Sequence, residues 1–187
     1  MFLKKKCVII FSMKTIVVVH NIRSLYNVGA ILRTAEGFGA QKVIMSGYTP
    51  CADNPTYLPH IRDKIKESIH KTALGAEEMI KTEYTGELRK TLEELKNDGY
   101  RVIGLENNIK DRRLKKLNSP ELQSSLGRAA AFGSKTVLLL GEEVDGIGED
   151  LYDLIDVFLE IPMKGRKESF NVSVATGIAL YKLLCEE

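Results

Sequence analysis

The sequence predicts an α/β protein, a mostly parallel sheet flanked by helices, on three observations. Strand-like apolar runs alternate with helical patterns along the chain, the arrangement that lays helices across a parallel sheet. Thr136–Leu140 (TVLLL) is an apolar run of the kind a strand buried on both faces requires. Glycine or proline closes most of these segments, which separates them into discrete elements.

Taken in order, Thr15–His20 (TIVVVH) is a β-branched run of strand length. Val28, Ile31, Leu32, Ala35 and Phe38 then recur at helical spacing, with Asn27 as the expected N-cap and Gly39 as the stop. Gln41–Ser46 is the next strand, and residues 47–60, with Pro50, Pro55 and Pro59, read as loop. Arg62 to Ile80 is helical in parts and weakly periodic. Glu87–Asp98 is clearer, with Leu88, Leu92 and Leu95 on one face and Gly99 ending it. Tyr100–Leu105 is another strand. Residues 107–135 are irregular, with Ser119-Pro120 a helix start. After Thr136–Leu140 come a short helix at Gly148–Leu154, a strand at Ile155–Ile161 stopped by Pro162, and a final helix at Asn171–Leu184.

The chain has 187 residues, about one domain; residues 1–14 read as an N-terminal extension and 15–187 as a single domain. AVILMFWYC residues make up 44% and charged residues 28%, with 15 Gly and 5 Pro, an ordinary globular composition that excludes disordered and collagenous chains. A net charge of +2 excludes a polybasic protein, so any nucleic-acid contact comes from local placement of charge. Cys7, Cys51 and Cys185 are far apart and form neither a disulfide framework nor a zinc motif, which points to reduced thiols in the cytoplasm. The apolar stretch from Cys7 is broken by Ser12 and Lys14, too short to cross a membrane and without a signal-peptide cleavage site. The Asn171-Val-Ser173 sequon has no meaning in that compartment.

Common nucleotide signatures fail. No G-x-G-x-x-G follows a strand, and Gly141-Glu-Glu-Val-Asp-Gly146 continues as Ile147-Gly148 where a P-loop needs Lys-Ser/Thr. His20, His60 and His70 have no triad-like surroundings.

Three constellations remain, two opening at the end of a strand and one spanning strand, loop and helix start. The first, Asn21 to Ala35, carries Gly29, Arg33 and Gly37 on one helical stripe. A planar cation between two glycines has open space for a ligand; an Arg33–Glu36 pair on a solvated face is the other reading of that spacing. The second, Leu140 to Ile147, delivers a glycine and two carboxylates, Glu142 and Glu143, to a strand end; a solvated acidic turn is its alternative. The third, Ile161 to Ala175, holds Lys164, Arg166 and Lys167 in a loop, then Ser169 or Asn171 as a helix cap.

Together these blocks resemble the SpoU (TrmH-like) family of RNA ribose methyltransferases in the SPOUT superfamily, over about Val17 to Leu184, and Lys71 to Glu77 is similar to the stretch between the family's first two blocks. The resemblance implies a C-terminal deep trefoil knot, a homodimer, S-adenosylmethionine as methyl donor and 2′-O-methylation of a ribose in tRNA or rRNA. It places catalytic roles on Asn27, Arg33, Glu143, Ser169 and Asn171, and cofactor binding on Leu105, Gly141, Ile161 and Phe170. Glu142 and Phe170 depart from the family's usual residues at those positions. A guanidinium stays protonated in proteins and makes a poor base, so Arg33 is assigned to holding phosphate and stabilising developing negative charge. RNA contacts are expected from Arg23, Lys164, Arg166 and Lys167, and from Arg112 and Arg113 in the basic run Lys110–Lys116; a solvated charged segment is the other reading of that run. A non-catalytic RNA-binding protein keeping the fold, and an α/β protein binding some other adenine nucleotide, are the rival readings.

Overall fold

The computed structural model describes residues 14–107, 109–111, 113–122 and 135–185; residues 1–13 with Cys7, Arg112 and the whole of 123–134 lie outside them. The elements are β1 (Lys14–His20), α1 (Leu25–Gly37), β2 (Lys42–Ser46), α2 (Pro59–Ala73), α3 (Ala76–Met79), β3 (Lys81–Thr85), α4 (Leu88–Asn97), β4 (Arg101–Leu105), β5 (Leu114–Lys116), β6 (Lys135–Leu140), a 3-10 turn (Glu149–Leu154), β7 (Val157–Glu160) and α5 (Val172–Leu184).

The strands form one sheet in the order β3-β2-β1-β6-β4-β7-β5, and every pairing between these strands is parallel. At its centre Val17 faces Leu138 and Val18 faces Leu139, all fully buried. Side chains alternate between the faces with period two. Val17, Val19, Leu138 and Leu140 join the core beneath α1, α2 and α5. Ile16, Val18, Val137 and Leu139 join the core beneath α4 and the 3-10 turn. Phe158 on β7 is wholly buried with its ring 4.8 Å from that of Tyr152, and burial of such a side chain contributes about 1.5–3 kcal/mol. Gly104 on β4 leaves room for this layer, since a Cβ there would lie 2.9 Å from Ile147 Cδ1.

The structure departs from the sequence reading in four places. β3 (KTEYT) and β5 (LKK) are absent from that reading because both are edge strands with polar residues, which carry no apolar run. The helical region before Ile80 is split: α2 ends on Leu74 in the left-handed conformation (φ 53°), Gly75 follows at φ 95°, and α3 restarts. The N-cap of α1 is Ser24, whose Oγ accepts from the Asn27 N–H at 3.3 Å. Asn27 is therefore the third helical residue, and its side-chain amide is released for other work. Gly29 has no open space, because a Cβ there would lie 2.2 Å from Thr72 Oγ1 and 2.4 Å from the Ile69 carbonyl; α2 packs directly against it.

Other expectations hold. Gly39 (φ 69°) donates to Glu36 and closes α1, the helix-ending geometry that favours glycine. Ser119 caps residues 120–122, its Oγ accepting from the Leu122 N–H. Asn171 caps α5, its Oδ1 accepting from the Ser173 N–H at 2.9 Å. Cys51 is buried and Cys185 exposed, both free thiols.

Candidate active site

Because every pairing is parallel, all the strands deliver their carboxyl ends to one edge of the sheet, where α/β proteins bind ligands. The ends of β6 and β4, and the chain after β7, surround a cavity of about 410 Å³. Its walls hold Leu105, Gly141, Glu143, Ile161, Ser169, Phe170 and Asn171, with Asn27 entering from the first turn of α1. Eight of the residues expected at the site from the sequence therefore share one cavity.

The wall after β6 is a tight hairpin. Glu142 N–H donates to the Gly146 carbonyl at 2.8 Å, and Gly146 N–H returns to the Glu142 carbonyl at 3.1 Å. Gly141 is obligatory in this turn, since a Cβ there would meet the Gly146 carbonyl carbon at 2.4 Å. Glu106, just past β4, holds the hairpin from beneath: its Oε2 accepts from the Ile147 N–H at 2.8 Å and its Oε1 from the Asn107 N–H at 2.9 Å. Gly146 (φ 70°) lies so close that a Cβ would fall 2.1 Å from Glu106 Oε2. The sequence reading stopped at Leu105 and missed Glu106; the signal was a carboxylate directly after a buried strand, on the edge where ligands bind.

One polar network joins the three sequence blocks. Asn171 Nδ2 donates to Asn27 Oδ1 at 3.1 Å, and Asn27 Nδ2 donates to Glu143 Oε1 at 2.5 Å. Asn171 Oδ1 in turn accepts from the Ser173 N–H and hydroxyl. The amide chain thus has a fixed sense, running from the start of α5 through α1 to the β6 hairpin. The Ser169 hydroxyl lines the same cavity as Glu143. Asn107 Nδ2 donates to the Glu168 carbonyl at 3.3 Å and ties the 168–171 turn to the end of β4.

The basic residues divide. Arg33 is exposed on α1 and does not line the cavity. It follows Asn27 by six residues, which places it about 9 Å further along the helix and roughly two-thirds of a turn around it. Among the described residues it forms neither the Glu36 pair nor any other ion pair. Lys164, Arg166 and Lys167 are exposed on the loop leading to Ser169. Arg23 lies over the Tyr48 ring, 5.1 Å from its centroid, and faces Glu142 at 3.5 Å.

Arg113 corrects the sequence reading. Its guanidinium pairs with Asp111 at 2.6 Å, donates to the carbonyls of Tyr152 and Ile155 at 2.6 and 2.7 Å, and lies over the Phe158 ring. It is spent inside the protein. His20, at the end of β1, contacts the Ser46 hydroxyl at 2.9 Å; burial pulls its pKa below the usual histidine value, against the pull of Asp150 and Glu142. No cluster of potential metal ligands occurs among the described residues.

A parallel α/β domain with a ligand-sized cavity at the carboxyl edge, walled by a glycine hairpin and an Asn–Asn–Glu network, defines the class. The chain belongs to the SpoU rRNA Methylase family, whose model matches residues 14–181. It is 30% identical over 169 residues to the 23S rRNA (guanosine-2'-O-)-methyltransferase RlmB of Pseudomonas syringae pv. tomato, covering 90% of this chain and 57% of the relative. The chain spans a little over half the length of the curated relatives it matches. Two solved structures share the fold. The AdoMet-bound rRNA methyltransferase of Sinorhizobium meliloti superposes with a TM-score of 0.69 at 20% identity over 91% of this chain and 55% of that one. The TrmH/SpoU tRNA modifying enzyme of A. aeolicus gives 0.65 at 22% identity over 94% and 77%.

Proposed function

We propose that this protein is an S-adenosylmethionine-dependent RNA methyltransferase acting on a ribose 2′-hydroxyl of tRNA or rRNA. The observation that carries the proposal is the cavity itself. Three strand ends and the α5 cap converge on a space of about 410 Å³, within the range of small-molecule sites, and Asn27, Glu143 and Asn171 from three separate blocks meet in it.

The residues present suit the donor. Gly141 and Gly146 keep the hairpin free of side chains at the wall, so backbone groups can approach a ligand closely. Leu105, Ile161 and Phe170 give apolar surface, and Glu106, Glu143 and Ser169 supply polar groups that fix orientation. When bound, S-adenosylmethionine would supply a methyl group on a positively charged sulfur, passing it to a ribose oxygen as the sulfur–carbon bond breaks, S-adenosylhomocysteine leaves and the hydroxyl proton goes to water. The protein's part is then to align that oxygen, and holding reactants in line supplies much of such a rate. We assign alignment to the Asn27–Glu143–Asn171 network and Ser169. Arg33 is assigned to the RNA backbone and to developing negative charge; Arg33→Lys keeps RNA binding and loses most turnover, and full activity in that variant removes the assignment. Lys164, Arg166 and Lys167 are assigned to phosphates beside the cavity.

Further readings belong to the same proposal. The deep knot is supported by β7, which the chain inserts between the earlier strands β4 and β5. A homodimer is supported by the apolar outer face of α5, where Val174 and Tyr181 are half exposed; Val174→Glu with Tyr181→Glu is expected to yield monomers in light scattering. The cytoplasm is the proposed location; no helix among the described residues is long and apolar enough to cross a membrane.

Calorimetric titration with S-adenosylmethionine, S-adenosylhomocysteine and ATP tests the donor. Binding of the first two supports the proposal, and binding of ATP alone transfers it to another nucleotide. A non-catalytic RNA-binding role would bind RNA and leave labelled methyl groups untransferred; the complete Asn27–Glu143–Asn171 network favours the enzyme.

A further inference from the structure

Arg23 has a geometry that phosphate binding does not explain. Its guanidinium is backed by the Tyr48 ring at 5.1 Å and faced by Glu142 at 3.5 Å, while 76% of its side chain is exposed. The backbone beneath is locked. Tyr48 N–H donates to Asn21 Oδ1, Ile22 N–H donates to Thr49 Oγ1, and that hydroxyl donates to the Val19 carbonyl. Gly47 (φ 63°) presses so closely on Asn21 that a Cβ would lie 1.9 Å from Oδ1. The loops after β1 and β2 are thus tied together beneath a planar cation that remains largely exposed to solvent.

A phosphate approaching this guanidinium would arrive beside the Glu142 carboxylate and would compete with it for the in-plane donors. The open direction is perpendicular to that plane, where a delocalised, weakly hydrated cation stacks on aromatic rings. Unpaired RNA bases are held on such arginine and aromatic planes. We infer that Arg23, backed by Tyr48 and held by Glu142, is a stacking platform for an unpaired nucleobase of the RNA. Glu142 also lines the cavity, so the stacked base neighbours the nucleotide whose ribose enters it. The inference rests on the RNA methyltransferase reading and adds the kind of RNA that the site accepts: a loop or single strand, with one base splayed onto the platform.

The test separates a plane from a charge. A short single-stranded oligoadenylate carrying one 2-aminopurine is titrated with wild type, Arg23→Lys, Arg23→Ala, Tyr48→Phe and Tyr48→Leu over a range of salt, with folding of each variant checked by thermal melting. Stacking predicts that Arg23→Lys, which keeps the charge and loses the plane, weakens binding about 10-fold. It also predicts loss of the 2-aminopurine fluorescence rise that accompanies unstacking of the base in wild type, and no change in the slope of log K against log salt. Tyr48→Phe, which keeps the ring and loses the hydroxyl that interacts with Arg23 and Glu142, should lose less affinity than Tyr48→Leu. A phosphate role predicts the reverse: Arg23→Lys binds as wild type and Arg23→Ala lowers the slope by about one, and that result overturns the inference. If wild type transfers labelled methyl to bulk RNA and Arg23→Lys binds the oligonucleotide unchanged, only the platform falls. If wild type neither binds nor methylates RNA, the function reading falls with it.

Discussion

Two basic segments of this chain look alike in sequence, and the arginine at the centre of one meets the opposite fate to the cations of the other. Lys110–Lys116 carries five cations in seven residues, yet Arg113 at its centre is locked onto Asp111, two backbone carbonyls and the Phe158 ring, and Leu114–Lys116 forms the edge strand β5. Lys164, Arg166 and Lys167 are fewer and as closely spaced, and they stand exposed on the loop leading to Ser169. Among the described residues no ion pair engages them. Charge density along a chain therefore does not predict which cations face a polyanion. What decides is whether an unsatisfied carbonyl or a carboxylate lies within reach inside the fold.

The largest effect that sharpens this contrast is on RNA binding. Changing Lys164, Arg166 and Lys167 together to Ala is expected to lower the salt slope of RNA binding by about 2 to 3, while the melting temperature hardly moves. A filter-binding titration at several salt concentrations reads the first, and calorimetry the second. Arg113→Ala should do the opposite. It strands two carbonyls and Asp111, so urea unfolding should show a loss of about 2–3 kcal/mol, with the salt slope of the folded fraction unchanged. A normal stability for Arg113→Ala together with a reduced slope would invert the comparison.

A smaller effect concerns proton binding. Burial lowers the pKa of His20 in the folded state from the ordinary 6.5, so the unfolded chain binds the proton more readily. Stability therefore rises with pH: the His20 contribution is complete above 6.5 and declines as pH falls from there toward the lower folded value. His20→Gln should flatten that part of a stability-versus-pH curve measured between about pH 5 and 7. The smallest effect is at Lys90 and Glu87, an exposed pair at 3.7 Å; replacing Lys90 by Ala should change stability by about 0–0.5 kcal/mol.

Much of the fold is readable in the sequence where local chemistry and tertiary environment agree. β1, β2, β4 and β6 are buried strands and show as apolar runs, and Asn171 caps α5 as its position suggests. The edge strands β3 and β5 are invisible because their neighbours demand no apolar residues. Asn27 illustrates the limit of local reasoning. Both Ser24 and Asn27 are good caps, and only the side chain that reaches the backbone N–H decides between them; with Ser24 capping, Asn27 turns to Glu143. Gly29 is a glycine because α2 packs against it, a contact some forty residues away in sequence. Arg33 and Glu106 make the same point about the site. The first is recognisable by its surroundings in sequence and stands off the cavity, and the second has no motif yet holds the hairpin that walls it.

The central claim is that this cavity aligns a ribose hydroxyl for methylation. Its most direct test follows labelled methyl from S-adenosylmethionine into bulk tRNA and rRNA, comparing wild type with Glu143→Gln and digesting the product to nucleosides. The account predicts label in 2′-O-methylated nucleosides with wild type and a roughly 100-fold or greater drop in the variant. Label on a base, or equal transfer by the variant, would contradict it.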